Sequence, residues 1–155
     1  MALAARLARA KAAAVAAEQP DAWVIGSDQI AVLNEVSGPS ILGKPGSAER
    51  CQAQLQSCSG RSVEFLTAVT VMRQESHSVS EFMDRTCVRF RVLDEAVIDR
   101  YVAMEQPLDC AGGFKSEGLG IALCESIESN DPTGLIGLPL IRLSAALRDV
   151  GFELP

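Results

Sequence analysis

The strongest constraint on the fold is a pair of β-forming runs joined by a short polar stretch. Val63 to Met72 is rich in β-formers. Arg73 to Ser78 is polar and reads as a hairpin connection. From Phe82 to Val92 the chain alternates, with Val88, Phe90 and Val92 on one face and Cys87, Arg89 and Arg91 on the other. A period of two over that length describes an antiparallel strand with one solvated face.

Further elements fall on either side of this hairpin. Met1 to Ala17 places Leu3, Leu7, Ala10, Ala14 and Ala17 at helical spacing, and Gln19-Pro20-Asp21 stops that helix. Its Arg6, Arg9 and Lys11, with no acid, also suit a transit peptide, but the spacing favours a helix of the fold. Trp23-Val24-Ile25 reads as a buried strand, interrupted by a Gly26-Ser27-Asp28-Gln29 turn and resumed by Ile30 to Leu33. Asn34 to Ser40 and Gly43-Lys44-Pro45-Gly46 read as turns. Ser47 caps a helix that runs to Ser57 or Cys58, and Ser59-Gly60 ends it. Asp94 caps another, with Val97, Ile98, Tyr101 and Val102 on one face and Pro107 beyond. Ile121 to Cys124 reads as a strand, and Asp131-Pro132-Thr133-Gly134 as a turn. A last helix starts near Pro139, points Leu140, Leu143, Leu147 and Val150 inward and ends at Gly151. Helices alternating with strands predict an α/β fold, with α+β as the alternative. Residues 1–155 are expected to form a single domain, a mixed twisted sheet flanked by helices.

Composition removes whole classes of function. At 48% hydrophobic and 22% charged, the chain is not disordered. No apolar run approaches the ~18 residues of a membrane span. A net charge of −6 argues against a nucleic-acid or anionic-membrane face, though a few lysines can still hold a small anion. The five cysteines contain no C-x-x-C, which argues against a zinc ribbon or a thioredoxin site. Their odd number, without a secretory signal, points to a reducing cytosol. His77 is the one histidine and lies in the polar connection, so no multi-histidine metal site is expected.

Four places are candidates for chemistry. Asp28 follows an apolar strand, where an acid caps, pairs, binds metal or acts as a base; an Asx-turn is the equal alternative. Lys44 sits on a loop stiffened by Gly43 and Pro45, suited to a phosphate, or is simply solvated. Lys115-Ser116-Glu117 lies in a segment with four glycines, whose amides form either an anion-binding nest or a plain Gly-rich turn with solvated charges. Glu117, an acceptor-only group, suits the N1–H and N2–H₂ donors of guanine. Lys11 is a solvated cation unless its helix borders a cleft. Trp23, Tyr101 and Phe114 read as core, and no Walker P-loop pattern is present.

Taken in order, Ile25-Gly26-Ser27-Asp28-Gln29, Gly43-Lys44-Pro45, Ser59-Gly60, Asp109 to Gly120 and Gly137-Leu138-Pro139-Leu140 resemble the Maf-like nucleoside triphosphate pyrophosphatases. Leu7-Ala8-Arg9-Ala10-Lys11-Ala12 matches the helix of that family, so the resemblance covers essentially the whole chain. Each motif is weak alone, and the series in register is strong. Gln29 and Glu117 are similar to the branch that hydrolyses 7-methyl-GTP. A methylated guanine is cationic, so Glu117 gains Coulomb energy as well as hydrogen bonds.

The resemblance implies a cytoplasmic enzyme that releases pyrophosphate from a non-standard nucleotide with a divalent cation, Mg²⁺ or Mn²⁺. Asp28 would be the general base and touch the metal; Lys11, Lys44 and Lys115 would offset phosphate charge; Gln29 and Glu117 would read the base. The expected partner is a small-molecule nucleotide, with neither nucleic acid nor membrane, and a homodimer stays open. The family pattern opens with a strand and a Ser/Thr- and Arg-rich loop, and this sequence begins beyond them. The alternatives are a dTTP or UTP pyrophosphatase of the same family, a truncated non-catalytic nucleotide-binding module, and a truncated chain that does not fold stably.

Overall fold

The computed structural model describes residues 2–155. It is an α/β structure. Among the described residues, four α-helices accompany a five-stranded sheet in the order β2-β1-β3-β4-β5. The elements are α1 (Ala2–Glu18), β1 (Val24–Glu35), β2 (Gly38–Leu42), α2 (Ala48–Cys58), β3 (Ser62–Arg73), β4 (Ser78–Phe90), α3 (Glu95–Glu105), β5 (Cys124–Ser129) and α4 (Leu140–Asp149). Neighbouring strands run antiparallel, where a mixed sheet was expected. The expected long hairpin is β3–β4, and His77 sits at its turn with a left-handed backbone and an exposed side chain. A second hairpin, β1–β2, closes tightly, with Glu35 opposite Gly38. No helix among the described residues is long and apolar enough to cross a membrane.

The chain forms two compact units: Met1–Gln29, Leu66–Arg85 and Asn130–Pro155 in one, Ile30–Phe65 and Thr86–Ser129 in the other. In the first, α1 lies on β1 through a stripe of small residues, Ala4, Ala8, Ala12 and Ala16, all fully buried. The expected stripe was Leu3, Leu7, Ala10, Ala14 and Ala17; Leu7 is instead 37% exposed. The cause is Gly26. A Cβ there would lie 2.4 Å from the Ala8 carbonyl oxygen and 2.8 Å from Ala12 Cβ, so helix and strand backbones approach as closely as side chains permit. Only alanines fit such a seam. Val24 and Met72 complete it. Val69 and Val71 face the other way and pack with Leu143 of α4, flanked by Trp23, Phe82, Leu138 and Leu147. Alternate β3 residues point to opposite faces, so α1 and α4 cover opposite faces of this unit.

Helix α4 starts without a cap from its own Pro139. Asp131 takes over: Oδ2 accepts from the Ile141 amide at 2.7 Å, and Thr133 Oγ1 accepts from the Leu140 amide at 2.8 Å. Its buried side chains are Leu143 and Ala146, while Leu140, expected inward, is exposed.

In the second unit Phe114 packs against Phe65 and Phe90 at centroid distances of 5.6 and 5.1 Å. The caps at Ser47 and Asp94 form as expected, accepting from the amides of Arg50 and Val97. Strand β4 begins before Phe82 and stops at Phe90, so Val92 does not join the buried face but is exposed. The expected strand Ile121–Cys124 is part of a 3-10 turn over Leu119–Leu123, and the strand proper, β5, lies just beyond. Its sequence is largely polar because it is a solvated edge, paired with β4 on one side.

Candidate active site

Strand β1 is continuous from Val24 to Glu35, so Gly26-Ser27-Asp28-Gln29 is strand and not the expected turn. The polar residues stay in register because each finds a partner distant in sequence. Ser27 Oγ donates to the Gly137 carbonyl at 2.6 Å and lies 3.2 Å from the Ala68 carbonyl. Gln29 Nε2 lies 2.8 Å from Thr67 Oγ1, 3.1 Å from the Gly134 carbonyl and 3.0 Å from the Leu135 carbonyl. The base-reading role expected of Gln29 therefore falls on a side chain whose amide nitrogen already binds the segment after Asp131.

Asp28 points to the same face as Gly26, towards α1. The close helix–strand seam brings Lys11 to it: Nζ lies 2.6 Å from Asp28 Oδ1 and 3.2 Å from the Ser27 carbonyl oxygen. The Asp28 side chain is 15% exposed and that of Lys11 58%, so the carboxylate is fixed at the base while the cation reaches water. Two of the expected site residues are thus joined by direct contact, in the first unit.

Lys44, Lys115 and Glu117 belong to the second unit. Lys44 is exposed, and among the described residues it has no hydrogen bond or ion pair. Its loop is held on three sides: the Gly43 carbonyl accepts from Gln54 Nε2 and the Gly112 amide, the Gly46 amide donates to the Leu108 carbonyl, and Pro45 is buried. A free ammonium on a fixed loop is what phosphate binding asks of a lysine.

Several amides of the glycine-rich segment are already paired. The Gly118 and Gly120 amides donate to the Lys115 carbonyl, the Gly113 amide to Cys110, the Lys115 amide to Tyr101 Oη, and the Leu119 amide to Glu105 Oε2. These donors serve the loop itself and the end of α3. Glu117 is exposed, with Ser116 Oγ 3.3 Å from its Oε2. Lys115 Nζ lies 3.0 Å from Glu105 Oε1. The Glu105 carboxyl sits below its usual range because of the Leu119 amide and then Lys115, and the Lys115 ammonium sits above its range, chiefly through Glu105. Burial pushes the Tyr101 phenol well above its usual value, and the Cys51 and Cys58 thiols up to about 11.

Glu105 was not among the expected residues. It ends α3, where a carboxylate opposes the helix dipole, and that misplacement is the sequence signal that marks it.

Residues 1–150 match the family described as Maf-like protein. The chain belongs to the Maf-like protein family. Named relatives agree with this. A 7-methyl-GTP pyrophosphatase of Xanthomonas oryzae pv. oryzae is 53% identical over 156 residues, covering 99% of this chain and 78% of the relative. One from Alkalilimnicola ehrlichii is 55% identical over 149 residues, covering 96% and 73%. One from Pseudomonas aeruginosa is 49% identical over 150 residues, covering 97% and 76%. This Maf-like chain contains, among its described residues, no group of three or more His, Cys, Asp or Glu placed to hold a metal. Asp28 supplies one carboxylate, and the Ser27 carbonyl beside it already faces a cation, the Lys11 ammonium. A lone carboxylate does not make a metal centre by itself; Mg²⁺ takes one or two protein carboxylates and fills its shell with water and substrate phosphates.

Proposed function

We propose that this Maf-like protein hydrolyses 7-methyl-GTP to 7-methyl-GMP and pyrophosphate. What carries the reading is identity of 49–55% across nearly the whole chain to proteins that bear that activity in their names. The Lys11–Asp28 pair adds chemical support. Asp28 accepts a proton from water as the water oxygen bonds to the α-phosphorus. The bond from that phosphorus to the bridging oxygen breaks, and pyrophosphate leaves with the electron pair. Lys11, whose Nζ lies 2.6 Å from Asp28, offsets negative charge gathering on phosphate oxygens. Lys44 is assigned to substrate phosphate and Glu117 to the cationic base, while Lys115, expected at phosphate, is paired with Glu105. A divalent cation, Mg²⁺ or Mn²⁺, would be held by Asp28 and would supply further charge neutralisation. A cytoplasmic setting accords with five unpaired cysteines.

The test is pyrophosphate release from a panel of 7-methyl-GTP, GTP, dTTP and UTP. The reading expects 7-methyl-GTP to give the highest kcat/KM. A maximum at dTTP or UTP would assign the other branch of the family, and binding without turnover would assign a non-catalytic module.

A further inference from the structure

Glu105 is tied into the glycine-rich segment through both carboxylate oxygens. Its Oε1 is 3.0 Å from Lys115 Nζ, and its Oε2 accepts from the Leu119 amide at 2.7 Å. Its side chain is only 11% exposed, although it is charged and ends a helix. Gly118 makes room for it: a Cβ there would fall 2.5 Å from Glu105 Oε2. Tyr101, one helical turn earlier, holds the same segment from its start, donating to the Gly113 carbonyl at 3.3 Å and accepting from the Lys115 amide at 3.1 Å. Tyr101 and Glu105 thus fix both ends of Lys115–Leu119 and leave Glu117 exposed between them.

We infer that Glu105 is a positioning residue for base discrimination: by claiming the Lys115 ammonium, it leaves the Glu117 carboxylate unneutralised for a cationic, 7-methylated guanine. The inference rests on the proposed reading of Glu117. Glu105, Lys115 and Glu117 carry two negative charges and one positive, an excess of one negative. Removing the Glu105 charge leaves Lys115 and Glu117 to cancel, two residues apart on one loop. A neutral loop loses its Coulomb preference for a cationic base over a neutral one, while hydrogen bonding to either base is unchanged.

The experiment compares 7-methyl-GTP with GTP on the wild type, Glu105→Gln and the double variant Glu105→Gln/Lys115→Met. Gln keeps an oxygen for the Leu119 amide, so the loop retains that bond. The expected result is a fall in the kcat/KM ratio of the two substrates of roughly threefold to tenfold in Glu105→Gln, carried by KM for 7-methyl-GTP. Restoration of the ratio is expected in the double variant, where the excess negative charge returns. A purely structural role would not be rescued by a second substitution. A ratio unchanged in Glu105→Gln, or lost and not recovered, overturns the inference. If the wild type releases no pyrophosphate, the proposed activity falls; binding of 7-methyl-GMP against GMP to the same three proteins then decides, with the same expectations. No preference for 7-methyl-GMP in the wild type overturns the inference.

Discussion

Lys11 Nζ meets Asp28 Oδ1 at 2.6 Å, a contact that exists because Gly26, two residues before the aspartate, has no side chain. The helix that carries the lysine can then lie directly on the strand that carries the acid. Lys11→Met should lower kcat/KM for pyrophosphate release by about 100-fold through lost charge stabilisation. It should shift the melting temperature by only a few degrees, because the ammonium is largely solvated. Steady-state kinetics with calorimetry on the same preparation checks both.

The seam itself makes a sharper prediction about stability. Gly26→Ala places a methyl group against the Ala8 carbonyl and Ala12, where nothing can yield without moving α1. The cost should be about 2 kcal/mol or more, a melting-point loss of ~5 °C for a chain of this size. Loss of activity should accompany it, since Lys11 moves with the helix. An unchanged melting curve would show that the helix does not press on the strand.

Gln29 offers a charge test of its hydrogen bonds. Gln29→Glu directs carboxylate oxygens at the Gly134 and Leu135 carbonyls, which the amide nitrogen now bridges. Destabilisation of about 2–4 kcal/mol is expected by chemical denaturation, and Gln29→Ala should cost less. A Gln29→Glu protein of full stability with altered nucleotide ranking would assign this residue to base reading.

Asp131 governs the acid limb of stability. Burial raises its carboxyl, but the Thr133 hydroxyl and the amides of Ile141, Thr133 and Arg142 outweigh burial and leave it below the usual value. A depressed folded value means the contribution is present above the unfolded value of about 3.9 and is lost as pH falls through the folded one. Asp131→Asn should therefore be less stable than wild type near neutral pH. The gap should narrow as pH drops below about 4. Melting temperatures of both proteins from pH 7 to pH 3 would show it.

The fold was largely legible where periodicity and caps act locally. The β3–β4 hairpin, the caps at Ser47 and Asp94 and the His77 turn follow from neighbouring residues alone. The reading failed where partners are distant. Ser27 and Gln29 looked like a break because the carbonyls that satisfy them come from Ala68, Gly134, Leu135 and Gly137. Periodicity alone puts Leu3 and Leu7 on the α1 stripe with Ala10, Ala14 and Ala17; the close approach at Gly26 turns Ala4, Ala8, Ala12 and Ala16 inward instead. The glycine-rich segment advertised free amides, yet its amides turn inward to Lys115, Tyr101 and Glu105, none of which glycine spacing reveals.

The most direct measurement is pyrophosphate release from 7-methyl-GTP by the wild type and by Asp28→Asn, with melting curves for both. The wild type should turn over this nucleotide in preference to GTP, dTTP and UTP, and Asp28→Asn should retain a cooperative melt while losing about 1,000-fold or more in kcat. An Asp28→Asn protein that folds and keeps full turnover would contradict the account.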